Sequence, residues 1–466
     1  MKKKYILIIS LVILAIIVSY VMNLKTTFAN FTEKKPVPEY DDPGQRILVI
    51  VPHPDDESLG MAGVIQRAVE LKEPIKVVIA TDGESYKKAA ALYSGHTEPT
   101  SSDFYKLGIQ RQRESIAAMA ELGLPKNDVI FLGFADGSTR FLWSDYWDNT
   151  HPRVSGGTHV AYSPYSNVYK PGIAYTGNNL ENSIQEIIKS FNPTDIYYPI
   201  ADDVHPDHWA VSNFVRYAIT AMNLNVRQHM FLVHHPQWPV PWLLEPNKPQ
   251  LPPVDMKDSN TNWQIFKLKQ SEITKKELAL KKYKTQVDAM GPFLMGFVRK
   301  NELFGTKPVL IIPVTQTIPD LRQNELPYTL IRIPTGGILS QEIYRSADLT
   351  KLAAFYHKNH ELYVGMQSVA PFSRDVSYHL EMRLFYKNNI KRVDLGLIKG
   401  KMYEYKSAEN SLTHVLISKP LIYKNRIWVR INIPERQDLN YIFMGADSIY
   451  KGRLIDKIPW NMYKIQ

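Results

Sequence analysis

Residues 46–57 read Arg46-Ile-Leu-Val-Ile-Val51-Pro52-His53-Pro54-Asp55-Asp56-Glu57. The short run of β-branched and aliphatic residues suits a parallel strand buried on both faces. The imidazole and carboxylates that follow it at once form a polar turn. Similar apolar runs recur at Ile75–Ala80, Val129–Leu132, Asp195–Tyr198 and Met230–Val233, and helix-like stretches alternate with them at Leu59–Leu71, Gln110–Leu122, Leu180–Phe191 and Trp209–Ala221. Strand and helix alternating at this spacing predict an α/β domain with a doubly wound, mainly parallel sheet. Sites in such sheets form beyond the C-terminal ends of the strands.

A second polar cluster, Asp202-Asp203-Val204-His205-Pro206-Asp207-His208, follows the fourth predicted strand. One His-Pro-Asp sequence is explained well enough by a short polar turn. Two of them, both at predicted strand ends, point to a metal. A catalytic zinc commonly takes three N/O ligands and leaves a position open, which two ligands from one turn and one from the other would supply. The chain has no cysteine, so disulfides, thiolate nucleophiles and Cys-based zinc sites are excluded, and any metal is held by His and carboxylates. A two-His, one-Asp set also suits iron(II) or another divalent ion.

The two turns resemble the signature of the PIG-L (LmbE-like) family of zinc-dependent N-acetylglucosaminyl de-N-acetylases. The resemblance extends over about residues 45–305, with weaker matches at Thr81–Glu84, Arg111 and Glu114, Leu132–Gly137, Lys276–Gln286 and Arg299–Phe304. It implies a Rossmann-like fold, Zn2+ on His53, Asp56 and His208, and Asp55 as general base for the attacking water. It also implies His205 as the group that stabilises the oxyanion or protonates the leaving amine, with Asp207 orienting it. Arg111 and Asp136 match positions that hold sugar hydroxyls. The implied reaction is hydrolysis of the N-acetyl group of an N-acetylglucosamine-like unit. A catalytically idle glycan-binding protein that keeps the metal, and an amidohydrolase acting on a non-sugar amide, remain as alternatives.

Residues 138–178 form a long insertion rich in aromatics, among them Trp143, Tyr146, Trp147, Tyr162, Tyr165, Tyr169 and Tyr175. Long loops over strand ends are often functional, so the stretch reads either as a substrate-facing wall or as a self-packed loop. His151 and His159 within it are not expected to bind metal.

Around this core the chain divides into 1–25, 26–44, 45–305 and 306–466. Lys2, Lys3 and Lys4 precede an apolar run from Tyr5 to Met22, which as a helix would span about 27 Å, close to the roughly 30 Å of bilayer hydrocarbon. The positive-inside rule then places the rest of the chain outside the cytoplasmic membrane. A cleaved signal peptide is the alternative, and either reading exports the protein. Residues 26–44, with Pro36, Pro38 and Pro43, read as a spacer. The formal net charge of +10 comes without any Arg/Lys stripe interleaved with aromatics. It therefore suits an anionic cell envelope, with no nucleic acid as partner. Beyond Lys307 the runs Val376–Phe385, Arg392–Leu397, Leu412–Ile417 and Arg426–Ile433 predict an antiparallel β-sandwich, with a helix within Gly336–Tyr363.

Overall fold

The strand Ile47–Val51 (β1) is buried along its whole length, as its composition requires. The computed structural model describes residues 36–148, 150–323, 325–332, 342–405, 419–433 and 436–466. The expected membrane anchor at 1–25, most of the spacer and the run Leu412–Ile417 lie outside the described residues. Among the described residues no helix is long and apolar enough to cross a membrane.

β1 pairs in parallel with Ile75–Thr81 (β2) on one side and Asp195–Pro199 (β4) on the other. Val129–Phe134 (β3) extends the sheet beyond β2, and Arg227–Phe231 (β5) extends it beyond β4, both in parallel. Two further strands, Asn262–Lys267 (β6) and Asn301–Thr306 (β7), add antiparallel pairings next to β5. The order is therefore β6-β7-β5-β4-β1-β2-β3, and the chain changes direction across the sheet between β1 and β4. Their C-terminal ends flank the crevice where a doubly wound sheet binds its ligands.

The helices are α1 (Asp56–Leu71), α2 (Lys87–Ser94), α3 (Ser101–Glu121), α4 (Thr139–Trp143), α5 (Gly177–Phe191), α6 (Pro206–Ala221), α7 (Gln270–Leu280) and α8 (Lys284–Met295). They pack in two sets, α1 and α3 against α7, and α4 and α5 against α6. α3 begins well before the expected Gln110. Its start is set by a capping box in which Thr100 accepts from the Asp103 N–H while Asp103 accepts from the Thr100 N–H. α1 is locked from below by a buried ion pair. Lys276 Nζ lies 2.8 Å from Glu302 Oε1 and donates to the Leu59 carbonyl, while Glu302 accepts the N–H groups of Gly63 and Val64. A Cβ on Gly63 would sit 2.0 Å from Leu268 Cδ2 and 3.1 Å from Glu302 Oε2, so a larger residue would have to push the Leu268 side chain aside.

The C-terminal region is the expected β-sandwich, built as two six-stranded sheets. It is antiparallel except where Val314–Thr315 and Leu310–Ile312 join by parallel pairing. Alternate residues such as Leu380, Met382 and Leu384 on one sheet and Leu362, Val364 and Met366 on the other fill the space between. A helix does lie within Gly336–Tyr363, at Glu342–Ala347, and it is followed by the paired strands Leu349–His357 and Glu361–Ser368. The stretch Leu349–His357 is buried on both faces, so it has an apolar run without strand alternation, and such a run does not separate helix from strand.

Residues 40–466 form one compact unit. The sandwich braces the α/β core directly. Arg383 is nearly fully buried, donates to the Trp143 carbonyl at 3.0 Å, and pairs with Asp394 at 2.7 Å. Its guanidinium also lies 4.8 Å from the Trp143 ring. Lys457 donates to the Ala201 carbonyl at 2.6 Å, and Lys307 pairs with Asp202 at 2.7 Å. Within the insertion Trp143, Tyr165 and Tyr175 are buried, whereas Tyr162 and Tyr169 are exposed. Trp143 packs edge-on against Phe214 and Trp460.

Candidate metal centre

The two His-Pro-Asp turns meet at the β1/β4 crevice. His53 and Asp56 come from the turn between β1 and α1, and His208 from the first turn of α6. Asp56 Oδ2 lies 3.2 Å from His53 Nδ1 and 3.3 Å from His208 Nε2. Tetrahedral zinc with bonds of about 2.0–2.1 Å separates neighbouring ligand atoms by about 3.3 Å. The Asp56 oxygen therefore stands about one coordination edge from each of the two imidazole nitrogens.

Each imidazole has a carboxylate at its far nitrogen. His53 Nε2 lies 3.2 Å from Asp207 Oδ2 and 3.2 Å from Asp136 Oδ1, and His208 Nδ1 lies 3.1 Å from Asp203 Oδ2. Carboxylates placed in this way fix tautomer and ring orientation in metal-ligating histidines. His208 is fully buried, yet neither of its ring nitrogens makes a well-aligned hydrogen bond. That is costly for a polar group unless something else takes the lone pair.

Electrostatics point the same way. Burial disfavours charge on His53, but Asp136, Asp207 and Asp56 outweigh it and hold the ring well above its ordinary pKa. His208 is pushed up to about 9, with Asp203 and Asp56 overcoming burial. A buried patch that draws positive charge onto two imidazoles around one carboxylate oxygen suits a divalent cation with His and Asp donors. Among the described residues, ligand atoms converge in three overlapping groups: His53, His205 and His208; Asp56, His208 and His234; and His53, Asp136 and Asp207. The expected trio is divided between two of them, which share His208.

Asp55 stands beside the centre in a strained backbone conformation, φ 133°, which costs a non-glycine residue about 1–3 kcal/mol. Its N–H is held by Glu57 Oε2 at 2.9 Å. Glu57 Oε1 in turn accepts from Ser115 and Tyr283. Burial pushes the Asp55 carboxyl up to about 8, against the nearby Arg111 charge. Such a group is well matched to proton transfer near neutral pH.

Residues 48–219 match the PIG-L family, described as GlcNAc-PI de-N-acetylase. The matched segment contains both ligand turns, and it is called the PIG-L-like domain below. The probable N-acetyl-alpha-D-glucosaminyl L-malate deacetylase 2 of Bacillus subtilis (strain 168) is 28% identical over 173 residues, 37% of this chain and 59% of that protein. The match thus spans less than two thirds of that relative's length. Among solved structures, an A40926 pseudoaglycone deacetylase aligns with 56% of this chain and 96% of its own at 18% identity, TM-score 0.37. The N,N'-diacetylchitobiose deacetylase of Pyrococcus horikoshii aligns with 56% of this chain and 82% of its own at 18% identity, TM-score 0.32.

Within the PIG-L-like domain several expected roles take a different geometry. The Asp207 carboxylate is turned to His53, not to His205. The N–H groups of Gly137 and Thr139 and the Thr139 hydroxyl draw it there. His205 only accepts the Asp207 N–H as helix N-cap. Its ring nevertheless lies 4.8 Å from that of His53 and 5.2 Å from that of His208. Burial and these two rings push its pKa down to about 4.

Arg111 donates to the carbonyls of Gly83 and Pro54 and lies 3.3 Å from Asp55. It is buried and its partners are the protein's own. Asp136 accepts from the Ser85 N–H and faces His53, at the centre itself rather than at its rim. His151 and His159 bond to Thr150 and Ser101 and lie outside all three ligand groups.

Sequence reasoning missed His234, just beyond β5, whose ring is 4.6 Å from that of His208 and stacks on Phe293. It also left Asp203 and Tyr283 without roles. The only signal for His234 was its place after a predicted strand end, and Tyr283 had none.

Proposed function

We propose that this chain is a zinc-dependent de-N-acetylase that acts on an N-acetylglucosamine-like unit of an envelope glycan or glycolipid outside the cytoplasmic membrane. The observation that carries the reading is the Asp56 carboxylate flanked at 3.2 and 3.3 Å by His53 and His208, with Asp55 beside it, inside a PIG-L-like domain. The names of the similar proteins, deacetylases of N-acetylated sugars, support the substrate class. The basic-then-apolar segment Lys2–Met22 supports export and tethering.

His53, Asp56 and His208 would hold the metal. When bound, it would polarise the amide carbonyl and make water a better nucleophile. The chain's own groups do the rest. Asp55 accepts the proton of the attacking water as the new C–O bond forms. The C–N bond then breaks, the proton returns to the departing amine, and acetate and a free amino sugar leave. His205, beside both ligand imidazoles, is placed to donate to the carbonyl oxygen. Asp207 and Asp203 hold His53 and His208 in register, while Arg111 and Glu57 fix Asp55.

The test is acetate release from N-acetylglucosamine oligomers and envelope glycans, with and without chelator and restored zinc. Release that depends on zinc is expected. A metal-loaded protein that releases acetate from no sugar would sink the proposal.

A further inference from the structure

Residues 236–244 read Pro236-Gln-Trp238-Pro-Val240-Pro-Trp242-Leu-Leu244, with no ionisable side chain. Val240, Trp242, Leu243 and Leu244 are between 43% and 62% exposed. Single apolar side chains on a surface need no explanation, but four within five consecutive residues mark a contact surface. Nothing in the chemistry above uses them.

The loop is built to hold these side chains out. Arg299 is buried, and its guanidinium donates to the carbonyls of Pro241, Leu243 and Glu245 from the interior. Pro236, Pro239 and Pro241 have no N–H, and the Trp238 indole N–H is taken by the Leu251 carbonyl. Polar groups satisfied from within are what hydrocarbon surroundings demand. A sugar would meet mainly aliphatic and aromatic carbon across Val240–Leu244, whereas lipid acyl chains need nothing else. Lys248 and Lys300 stand exposed at the base of the loop, where the Lys300 N–H donates to the Lys248 carbonyl. Lys248 also pairs with Glu245. Cations beside an apolar protrusion suit an anionic headgroup layer.

The loop adjoins the metal centre by direct contact. Trp242 packs edge-on against Phe293 with ring centres 5.5 Å apart, Phe293 stacks on His234 at 5.6 Å, and His234 lies 4.6 Å from His208. Of the four imidazoles there, His53 and His208 are buried, while His205 and His234 are partly exposed. The exposed Val204 donates its N–H to the His234 carbonyl on the same side. Solvent therefore reaches the centre on the side that carries the apolar loop. The segment Lys2–Met22, read as a tether, is joined to the described chain by residues 23–35, which extend to at most about 45 Å. A tethered chain thus keeps its body at the lipid surface.

We propose that Val240–Leu244 inserts into a lipid surface and that the metal centre takes the sugar headgroup of a glycolipid lying in that surface. The choice of a lipid-borne N-acetylated sugar rests on the de-N-acetylase reading; the docking itself does not.

The chain has no cysteine, so Leu243→Cys gives the full chain one site for an environment-sensitive fluorophore. Leu71→Cys is the comparison, also exposed but at the far end of α1, about 24 Å of helix from Asp56. With vesicles of equal parts phosphatidylglycerol and phosphatidylcholine, the label at 243 should shift to the blue and be quenched by brominated acyl chains. The label at 71 should do neither. In the unlabelled chain, Val240→Glu with Leu243→Glu should leave the melting temperature unchanged. It should lower acetate release from an N-acetylglucosaminyl dialkylglycerol in those vesicles, relative to release from soluble N-acetylglucosamine oligomers, about tenfold or more, as expected when leucine-sized groups leave lipid. A label at 243 that stays in water, or that is shielded before lipid is added because the chain self-associates through the loop, would overturn the proposal. So would an unchanged ratio of the two activities. Shielding by lipid without acetate release from any sugar would keep the docking and remove the de-N-acetylase reading instead.

Discussion

Replacing Lys276 by Met isolates what holds α1, and with it the first ligand turn, in place. Lys276 is fully buried and makes two contacts, to Glu302 Oε1 and to the Leu59 carbonyl, both at 2.8 Å. Met fills similar volume but leaves Glu302 as a buried carboxylate without its counter-ion, still accepting from Gly63 and Val64. Breaking a buried pair in this way costs about 3–5 kcal/mol, a large part of the 5–15 kcal/mol typical of a folded domain. The loss should appear as a lowered urea midpoint followed by tryptophan fluorescence. Because α1 starts at Asp56, metal retention should fall with it. The double change Lys276→Met with Glu302→Gln should recover part of the loss, since it removes the buried charge while the amide oxygen still accepts one of the two N–H groups. A single variant that loses less than about 1 kcal/mol, or a double variant no better than the single, would refute the reasoning.

Asp203→Asn removes the carboxylate behind His208 and should weaken zinc binding about 10–100-fold in competition with a chelating dye, with the fold unchanged by circular dichroism. Arg111→Met removes the charge that opposes the upward push on Asp55. The Asp55 pKa then rises further, less of the base is ionised at neutral pH, and the acid limb of the rate profile moves to higher pH. Gly83→Ala places a Cβ 2.0 Å from Arg111 Nη1 at a φ of +61°. It should lower both the melting temperature and activity, measured by calorimetry and acetate release.

The parallel half of the sheet was legible because its strands are buried on both faces and therefore read as unbroken apolar runs. Both ligand turns were legible because each packs imidazole and carboxylate into a few consecutive residues. β6 and β7 were not: Asn262–Lys267 is only half-buried and polar in part, and the PIG-L resemblance covered β7 without marking it as a strand. The carboxylates behind the ligands were harder still. Which histidine Asp207 serves depends on where Gly137 and Thr139 present their N–H groups, and these lie some seventy residues away on another turn. Arg111 was expected at the substrate because nothing in its sequence neighbourhood shows that Gly83 and Pro54 carbonyls face it. The sandwich was visible as β-rich sequence, whereas its bracing of the second ligand turn through Lys457 and Lys307 exists only in the folded chain.

The most direct test of the central claim is to measure metal content and acetate release on the same preparations of wild type, Asp55→Asn and Asp56→Asn. The account predicts one zinc per chain and activity in wild type, zinc without activity in Asp55→Asn, and neither in Asp56→Asn. Full activity in Asp55→Asn, or undiminished zinc binding in Asp56→Asn, would contradict it.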